Sequence, residues 1–440
     1  MSPVVWQSAV TPASVSSRCA IVPACQSLSS RVSLLLISVP PPTHHVSLPP
    51  QCRTIMKPPP SQHALHLHTD TPSQQTRRQI VYPRDWSTDW VTKSREDGRE
   101  YSLAPVQMSV GVPGQDGTAD FLKDNLQDEA AYQLMERFAQ WGGNFLDTAD
   151  FYGPSTSEII VGNWLQRQDR ERFVVATKVG MPTDPANPHK VGLSRRHITQ
   201  AVQDSLGRLQ TNFIDLYQTH LWDIAVPLEE TLRTLNDLVR CGKVRYLGAS
   251  NLSGWQMERY LRVQEKLGLE PVVSLQQYYS LHQRFSELEA FQVCKGSGVG
   301  VLPWSPLSFG LLSGKFTRYT LPDTGRMATM TSAFPRVWAD DQLWNILDVT
   351  KRIAESKGKS QAQVALRWLL QKDFVASVII GVRTLQQLDD NMGAANGWTL
   401  TPEEMAELDK VSQPEKPYPY RSRGFDLENR INPFNPPTSV

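Results

Sequence analysis

Gly142-Gly143-Asn144-Phe145-Leu146-Asp147-Thr148-Ala149-Asp150-Phe151-Tyr152-Gly153 is the stretch whose reading decides the fold. Its glycine pair suits a helix stop, because glycine enters the left-handed conformation there without a Cβ penalty. A short apolar strand, Asn144 to Leu146, follows, with Asp147 at its carboxyl end and Tyr152 in the loop beyond. Three later strands close in the same way: Phe-Val-Val-Ala-Thr on Lys178, Asp-Leu-Tyr-Gln-Thr on His220, and Tyr-Leu-Gly-Ala on Ser250-Asn251. An Asp, a Tyr, a Lys and a His at one end of successive strands form a set that can hold and move protons.

Around this stretch the chain alternates helix and strand. Strands are predicted at Phe145, Val174, Ile214, Val244, Val272, Val299 and Val378. Between them run amphipathic patterns: Ala131, Leu134, Met135 and Phe138; Ser194 through Ile198, Ala201, Val202 and Ser205; Leu228, Leu232, Leu235 and Val239. One helix is predicted to open on a capping box, Ser155-x-x-Glu158, and another on Thr401-Pro402-Glu403-Glu404. The long interval before Val378 holds two helices, near Leu343 to Ala354 and Ala362 to Leu370.

Strand-helix alternation admits a doubly wound open sheet or an eight-stranded barrel. An open sheet concentrates its site at one switch point. Here every predicted strand delivers a polar residue at its carboxyl end, including Gln276 after Val273-Ser274-Leu275 and Trp304-Ser305 after Val301-Leu302-Pro303. Only a closed ring directs all those ends to one place, so the expected class is α/β, a (β/α)8 TIM barrel.

With 40% hydrophobic and 20% charged residues, the composition is that of a soluble globular protein. The net charge of +1 gives no basic excess for nucleic acid or a membrane surface. No run approaches the ~18 apolar residues of a membrane span. Cys19, Cys25, Cys52, Cys241 and Cys294 show no metal-ligand or redox spacing, which suits a reducing, cytoplasmic setting.

Residues 1–100 are a different material, rich in Ser and Pro, with no acidic residue before Asp70. They hold His44, His45, His63, His66 and His68, which lack Cys or carboxylate partners at ligand spacing and read as a solvated tract. Such a segment buries too little apolar surface to offset its ordering entropy and is expected to be disordered. Low acid and high Ser also resemble an organelle transit peptide, but only Arg18, Arg31, Arg53 and Lys57 are basic before Asp70, which favours an unstructured extension over a targeting signal. The domain expectation is therefore a 1–100 extension, a 101–411 barrel and a 412–440 tail, with the tail either over the barrel mouth or disordered.

A phenol ionises near pH ~10, so Tyr152 needs a neighbouring cation to exchange protons near neutrality. Lys178 supplies the cation, Asp147 holds it, and His220 can bond a substrate oxygen or pass a proton. The set suits a carbonyl that gains a hydride and takes a proton on oxygen. Asp147 and Lys178 alone could be a structural ion pair, and Trp304 could be barrel packing. Ser250-Asn251 could cap the next helix, and Arg383 could be a surface charge.

With those residues in view, the chain from about 101 to 411 resembles an aldo-keto reductase, especially the bacterial and fungal branch that includes aryl-alcohol dehydrogenases and potassium-channel β-subunits. Besides 142–153, the matching motifs are Ala-Thr-Lys (176–178), Asp-Leu-Tyr-Gln-Thr-His (215–220) and Gly-Lys-Val-Arg-Tyr-Leu-Gly-Ala-Ser-Asn (242–251). Trp-Ser-Pro-Leu-Ser-Phe-Gly-Leu-Leu-Ser-Gly-Lys-Phe (304–316) and Ile-Ile-Gly-Val-Arg-Thr (379–384) complete them. The resemblance implies Tyr152 as general acid, with Asp147, Lys178 and His220 completing a tetrad. It implies Ser250, Asn251 and Gln276 on a nicotinamide carboxamide and Trp304 against the ring. Ser305, Leu307, Gly310, Leu312, Gly314 and Lys315 would follow the pyrophosphate and ribose. Gly381, Arg383, Gln387 and Asn391 would take the adenosine end, with Asp390 beside the adenine, and the Arg383 guanidinium favours NADP(H) over NAD. No metal is implied, and the substrate is a small aldehyde or ketone.

The sequence departs from that pattern at the first strand. Residues 101–117 read Tyr-Ser-Leu-Ala-Pro-Val-Gln-Met-Ser-Val-Gly-Val-Pro-Gly-Gln-Asp-Gly, without the family's Leu-Gly-x-Gly-Thr-Met type segment. Either Val106 to Val112 serves as a first strand with altered ends, or the barrel has a gap with open edges. Two expectations for function follow: an NADP-dependent carbonyl reductase, or a nucleotide-binding regulatory or scaffold protein like the channel β-subunits.

Overall fold

Each strand expected from the sequence is present in the computed structural model, which describes residues 92–94, 100–102, 106–109, 128–318 and 340–421. They are β4 (Phe145–Asp147), β5 (Val174–Val179), β6 (Ile214–Thr219), β7 (Val244–Ser250), β8 (Val272–Tyr278), β9 (Gly300–Trp304) and β10 (Val378–Ile380). Ahead of them lie β1 (Thr92–Ser94), β2 (Glu100–Ser102) and β3 (Val106–Ser109). The first two form an antiparallel hairpin with Thr92 opposite Ser102, so the boundary expected at residue 100 falls inside it. The remaining expectations for 1–100 lie outside the described residues.

The first-strand question is answered by β3. It pairs parallel with β4 through Met108–Leu146 and Ser109–Asp147, and with β10 through Val106–Val378, Gln107–Ile379 and Met108–Ile380. Met108 is 3% exposed. The eight parallel strands run in the order β10-β3-β4-β5-β6-β7-β8-β9. The two ends of that sheet meet where Val301 N donates to Phe374 O and Val301 O accepts from Ala376 N, each at 2.9 Å, which closes the ring.

Helices cover the outside: α1 (Asp128–Gln140), α2 (Thr156–Leu165), α3 (Arg195–Leu209), α4 (Leu228–Arg240), α5 (Gly254–Leu267) and α6 (Ala290–Ser297). After β9 come α7 (Asp341–Lys357) and α8 (Gln361–Leu370), and after β10 come α9 (Leu385–Met392) and α10 (Pro402–Val411). Among the described residues, no helix is long and apolar enough to cross a membrane. Most of the buried apolar side chains lie between strands and helices; a second, small cluster of Ala176, Leu216, Leu302 and Ile379 is separate from it. Because strand side chains alternate, residues two further along share the face of that inner cluster. On that rule Asp147 follows Phe145, Lys178 follows Ala176, Gln218 follows Leu216 and Trp304 follows Leu302. One strand period thus carries the chain from barrel packing to the site.

The capping box at Thr401 and Glu404 forms as expected, and Ser194 caps α3 by accepting from His197 N. The one expected at Ser155 does not. Ser155 sits in the left-handed region (φ 72°) and its hydroxyl donates to Asp150 O at 2.7 Å. Glu158 is fully buried and is claimed by Thr177 Oγ1 (2.6 Å) and Arg208 Nε (2.7 Å), partners that outcompete a backbone cap. The described part of the tail contacts the barrel through Gln342 Nε2, which donates to Gln413 O, and Tyr420 OH, which donates to Glu289.

Candidate active site

Asp147, Tyr152, Lys178 and His220 converge at the carboxyl ends of β4, β5 and β6. Lys178 is fully buried, and its Nζ donates to Asp147 Oδ2 (2.7 Å), Thr148 O (2.9 Å) and Tyr152 OH (3.2 Å). An ammonium has three donors, so this cage satisfies it completely. Burial on its own lowers the Lys178 pKa, but the Asp147 charge, Tyr152 and their hydrogen bonds outweigh it and leave it raised. The second carboxylate oxygen of Asp147 accepts from Gln276 Nε2 (2.8 Å) and Gln218 Nε2 (3.4 Å). Gln218 is a member of the site that sequence reading missed, although its place two residues before His220 on a strand was the available signal. Space for it is left by Gly248, where an added Cβ would fall 2.9 Å from Gln218 Cγ.

His220 stands edge-on to Tyr152, ring centroids 5.7 Å apart at 70°. Burial, then the Lys178 charge, lowers its pKa to about 3, so the imidazole is neutral near pH 7 and acts as a hydrogen-bonding group. Its Nδ1 has no hydrogen-bond partner among the described residues.

Ser250, Asn251, Gln276 and Trp304 are brought to the same place and bonded to one another. Ser250 Oγ donates to Gln276 O (2.9 Å), and Asn251 Nδ2 donates to Ser250 Oγ (3.1 Å) and His220 O (3.0 Å). Trp304 Nε1 donates to Asn251 Oδ1 (3.0 Å). The Ser250 hydroxyl proton and both Asn251 amide protons are therefore engaged, Gln276 Nε2 keeps one N–H beyond its bond to Asp147, and acceptor capacity remains on Ser250 Oγ, Asn251 Oδ1 and Gln276 Oε1. That matches the –NH2 of a carboxamide. Asn251 and Ser305 hold left-handed backbone (φ 55° and 50°), a cost that sites tolerate when the surroundings fix the conformation.

Ser305, Leu307, Gly310, Leu312, Gly314 and Lys315 follow in one tight turn. Leu312 is fully buried and Leu307 is half-buried against the core. Gly314 (φ 77°) lies where a Cβ would meet Gln361 at 2.2 Å. Gly381, Arg383, Gln387 and Asn391 sit at the junction of β10 and α9; Gln387 Oε1 accepts from Arg383 N, and Asn391 is buried. Burial, then the Arg383 charge, lowers the Lys315 pKa. Asp390 accepts from Ser360 Oγ at 2.8 Å.

The sequence pattern of the aldo/keto reductase family matches residues 115–413. The chain belongs to that family. The match begins past β3. A versiconal hemiacetal acetate reductase of Aspergillus parasiticus is 33% identical over 313 residues, 67% of this chain and 90% of that protein. Protein tas of Escherichia coli is 34% identical over 325 residues, 68% of this chain and 93% of its own length. An NADP(+) aryl-alcohol dehydrogenase of Phanerodontia chrysosporium is 29% identical over 328 residues, 72% and 85% respectively. As an aldo/keto reductase the chain is an oxidoreductase; the family acts on small carbonyl compounds and generally uses NAD(P)H.

A polar cavity of about 240 Å³, lined in part by Asp150, Ser155, Arg196, Asp204 and Arg208, contains none of the four tetrad residues. Asp150 is fully buried, and neither carboxyl oxygen has a hydrogen-bond partner among the described residues. Burial, then the Glu158 charge, holds its pKa well above the usual carboxylate range, against the pull of Arg208 and Lys178.

Proposed function

We propose that this aldo/keto reductase is an NADP(H)-dependent enzyme that reduces an aldehyde or ketone to an alcohol, with Tyr152 as general acid. The observation that carries this reading is the buried Lys178 ammonium bonded at once to Asp147 and to Tyr152 OH. The substrate oxygen accepts hydrogen bonds from Tyr152 and from neutral His220. As charge develops on that oxygen, Tyr152 releases its proton to it. The phenolate left behind faces Lys178, and Asp147 keeps the ammonium in place.

The nicotinamide nucleotide, when bound, supplies the hydride. Its carboxamide suits the spare acceptors of Ser250, Asn251 and Gln276, and its ring suits the face of Trp304. Lys315 and Arg383 suit its phosphates, the guanidinium taking the 2′-phosphate, with Gly381, Gln387 and Asn391 at the adenosine end. The relative named for NADP(+) supports the same choice. The scaffold alternative drew on a gap at the first strand, and the pairing of β3 removes that support. Cys241 and Cys294 are free thiols, in keeping with a cytoplasmic setting.

The test is NADPH oxidation by purified protein against a panel of aromatic and aliphatic aldehydes and ketones. Turnover on members of the panel supports the reading. Tight nucleotide binding with no turnover on any of them refutes it and favours the regulatory alternative.

A further inference from the structure

Behind Trp304 lies a row of side chains that the tetrad does not use. Tyr278, at the end of β8, stacks on Trp304 with ring centroids 4.7 Å apart and planes at 21°. Its hydroxyl is 2.8 Å from Ser308 Oγ, which is 3.3 Å from His282 Nδ1. His282 Nε2 is 2.8 Å from Asp340 Oδ2. Asp340 caps α7, its other oxygen accepting from Gln342 N and Leu343 N.

The direction of this row follows from donor counting. A carboxylate only accepts, so His282 Nε2 carries the proton, and in the neutral ring Nδ1 is an acceptor. Ser308 then donates to Nδ1 and accepts from Tyr278. The order is Tyr278 to Ser308 to His282 to Asp340, with Ser308 Oγ accepting once and donating once and each His282 ring nitrogen used once. Ser, His and Asp also make nucleophilic triads, but Ser308 is 1% exposed and its oxygen is held from both sides. It is a strut, not a nucleophile.

Ser308 anchors a costly turn. Ser305, Ser308, Phe309 and Gly310 all have left-handed backbone, φ 50°, 49°, 57° and 94°. Non-glycine residues are strained there and persist only when their surroundings fix them. At the far side, Trp304 bonds Asn251, which bonds the carbonyl of His220.

We propose that Tyr278, Ser308, His282 and Asp340 are positioning residues that fix the Trp304 ring and the 305–310 turn in the shape that receives the pyridine ring and pyrophosphate. This rests on the NADP(H) reading above. None of the four touches the reacting atoms. Tyr278→Phe keeps the stacked ring and removes the hydroxyl. Ser308→Ala breaks the row at its centre. Asp340→Asn keeps an oxygen for the helix cap but turns a donor toward Nε2, which reverses the row and leaves the Tyr278 proton without an acceptor.

NADPH titrations followed by nucleotide fluorescence, with steady-state kinetics alongside, test the proposal. Each variant is expected to raise the NADPH Kd about tenfold with the carbonyl KM within twofold of wild type. Tyr278→Phe/Ser308→Ala is expected within twofold of either single, because one row is broken once. Variants that lose thermal stability yet bind NADPH within twofold of wild type overturn the proposal, as does a double variant whose effects multiply. Wild type that binds NADPH beside indifferent variants sinks the row alone; wild type that binds no nicotinamide nucleotide sinks the site reading with it.

Discussion

Asp147→Asn exposes how the site is held together. Asp147 is 1% exposed, and its two oxygens divide their work between Lys178 on one and Gln276 with Gln218 on the other. An asparagine keeps one oxygen. If it serves Lys178, its amide nitrogen faces the amide donors of both glutamines; if it serves them, it faces the ammonium. Either way a buried cation loses its counter-charge, which costs about 3–5 kcal/mol. Asp147→Leu/Lys178→Met removes both charges and leaves apolar groups of similar size, so it is expected to recover most of that loss. It is also expected to have no reductase activity. Urea unfolding followed by fluorescence, with carbonyl reduction measured on the same preparations, reads both effects. Asp147→Asn within about 1 kcal/mol of wild type with comparable kcat refutes the argument that the pair organises the site.

His220 makes stability pH-dependent in a stated direction. Its folded pKa is lowered from 6.5 to about 3, so between those values the unfolded chain binds a proton that the native chain refuses. The contribution is intact above pH 6.5 and declines as pH falls, by about 2 kcal/mol at pH 5, and His220→Gln should flatten the slope in urea unfolding at pH 7 and 5. Asp150 has the opposite sign: its raised pKa means the native state must keep a proton the unfolded chain releases, so Asp150→Asn should raise Tm more at pH 8 than at pH 5. Met108→Ala should cost about 2–5 kcal/mol by thermal or urea unfolding, as for any buried methionine, whereas a strand outside the barrel would give almost nothing.

Phe145, Val174, Ile214 and Val244 were legible as strands because each apolar run ends on a polar residue, and that pattern needs only local sequence. The tetrad was legible for the same reason. Val106–Ser109 was legible only as one of two alternatives, because a four-residue strand without its usual flanks is specified by its neighbours β4 and β10 rather than by its own residues. Ser155-x-x-Glu158 misled because a capping signature cannot show that Glu158 has a stronger partner in Arg208, distant in sequence. Tyr278 escaped notice although strand alternation places it on the same face as Gln276. The mutual bonding of Ser250, Asn251, Gln276 and Trp304 joins three strands and had no local trace.

The central claim is that Tyr152 hands its proton to the substrate under the control of Lys178. Its most direct test is the rate of NADPH oxidation with a reducible aldehyde by Tyr152→Phe, set beside the NADPH Kd of the same variant. A fall of about 10²–10⁴-fold in kcat with Kd unchanged is the expected result. A kcat equal to wild type at the same Kd contradicts the account.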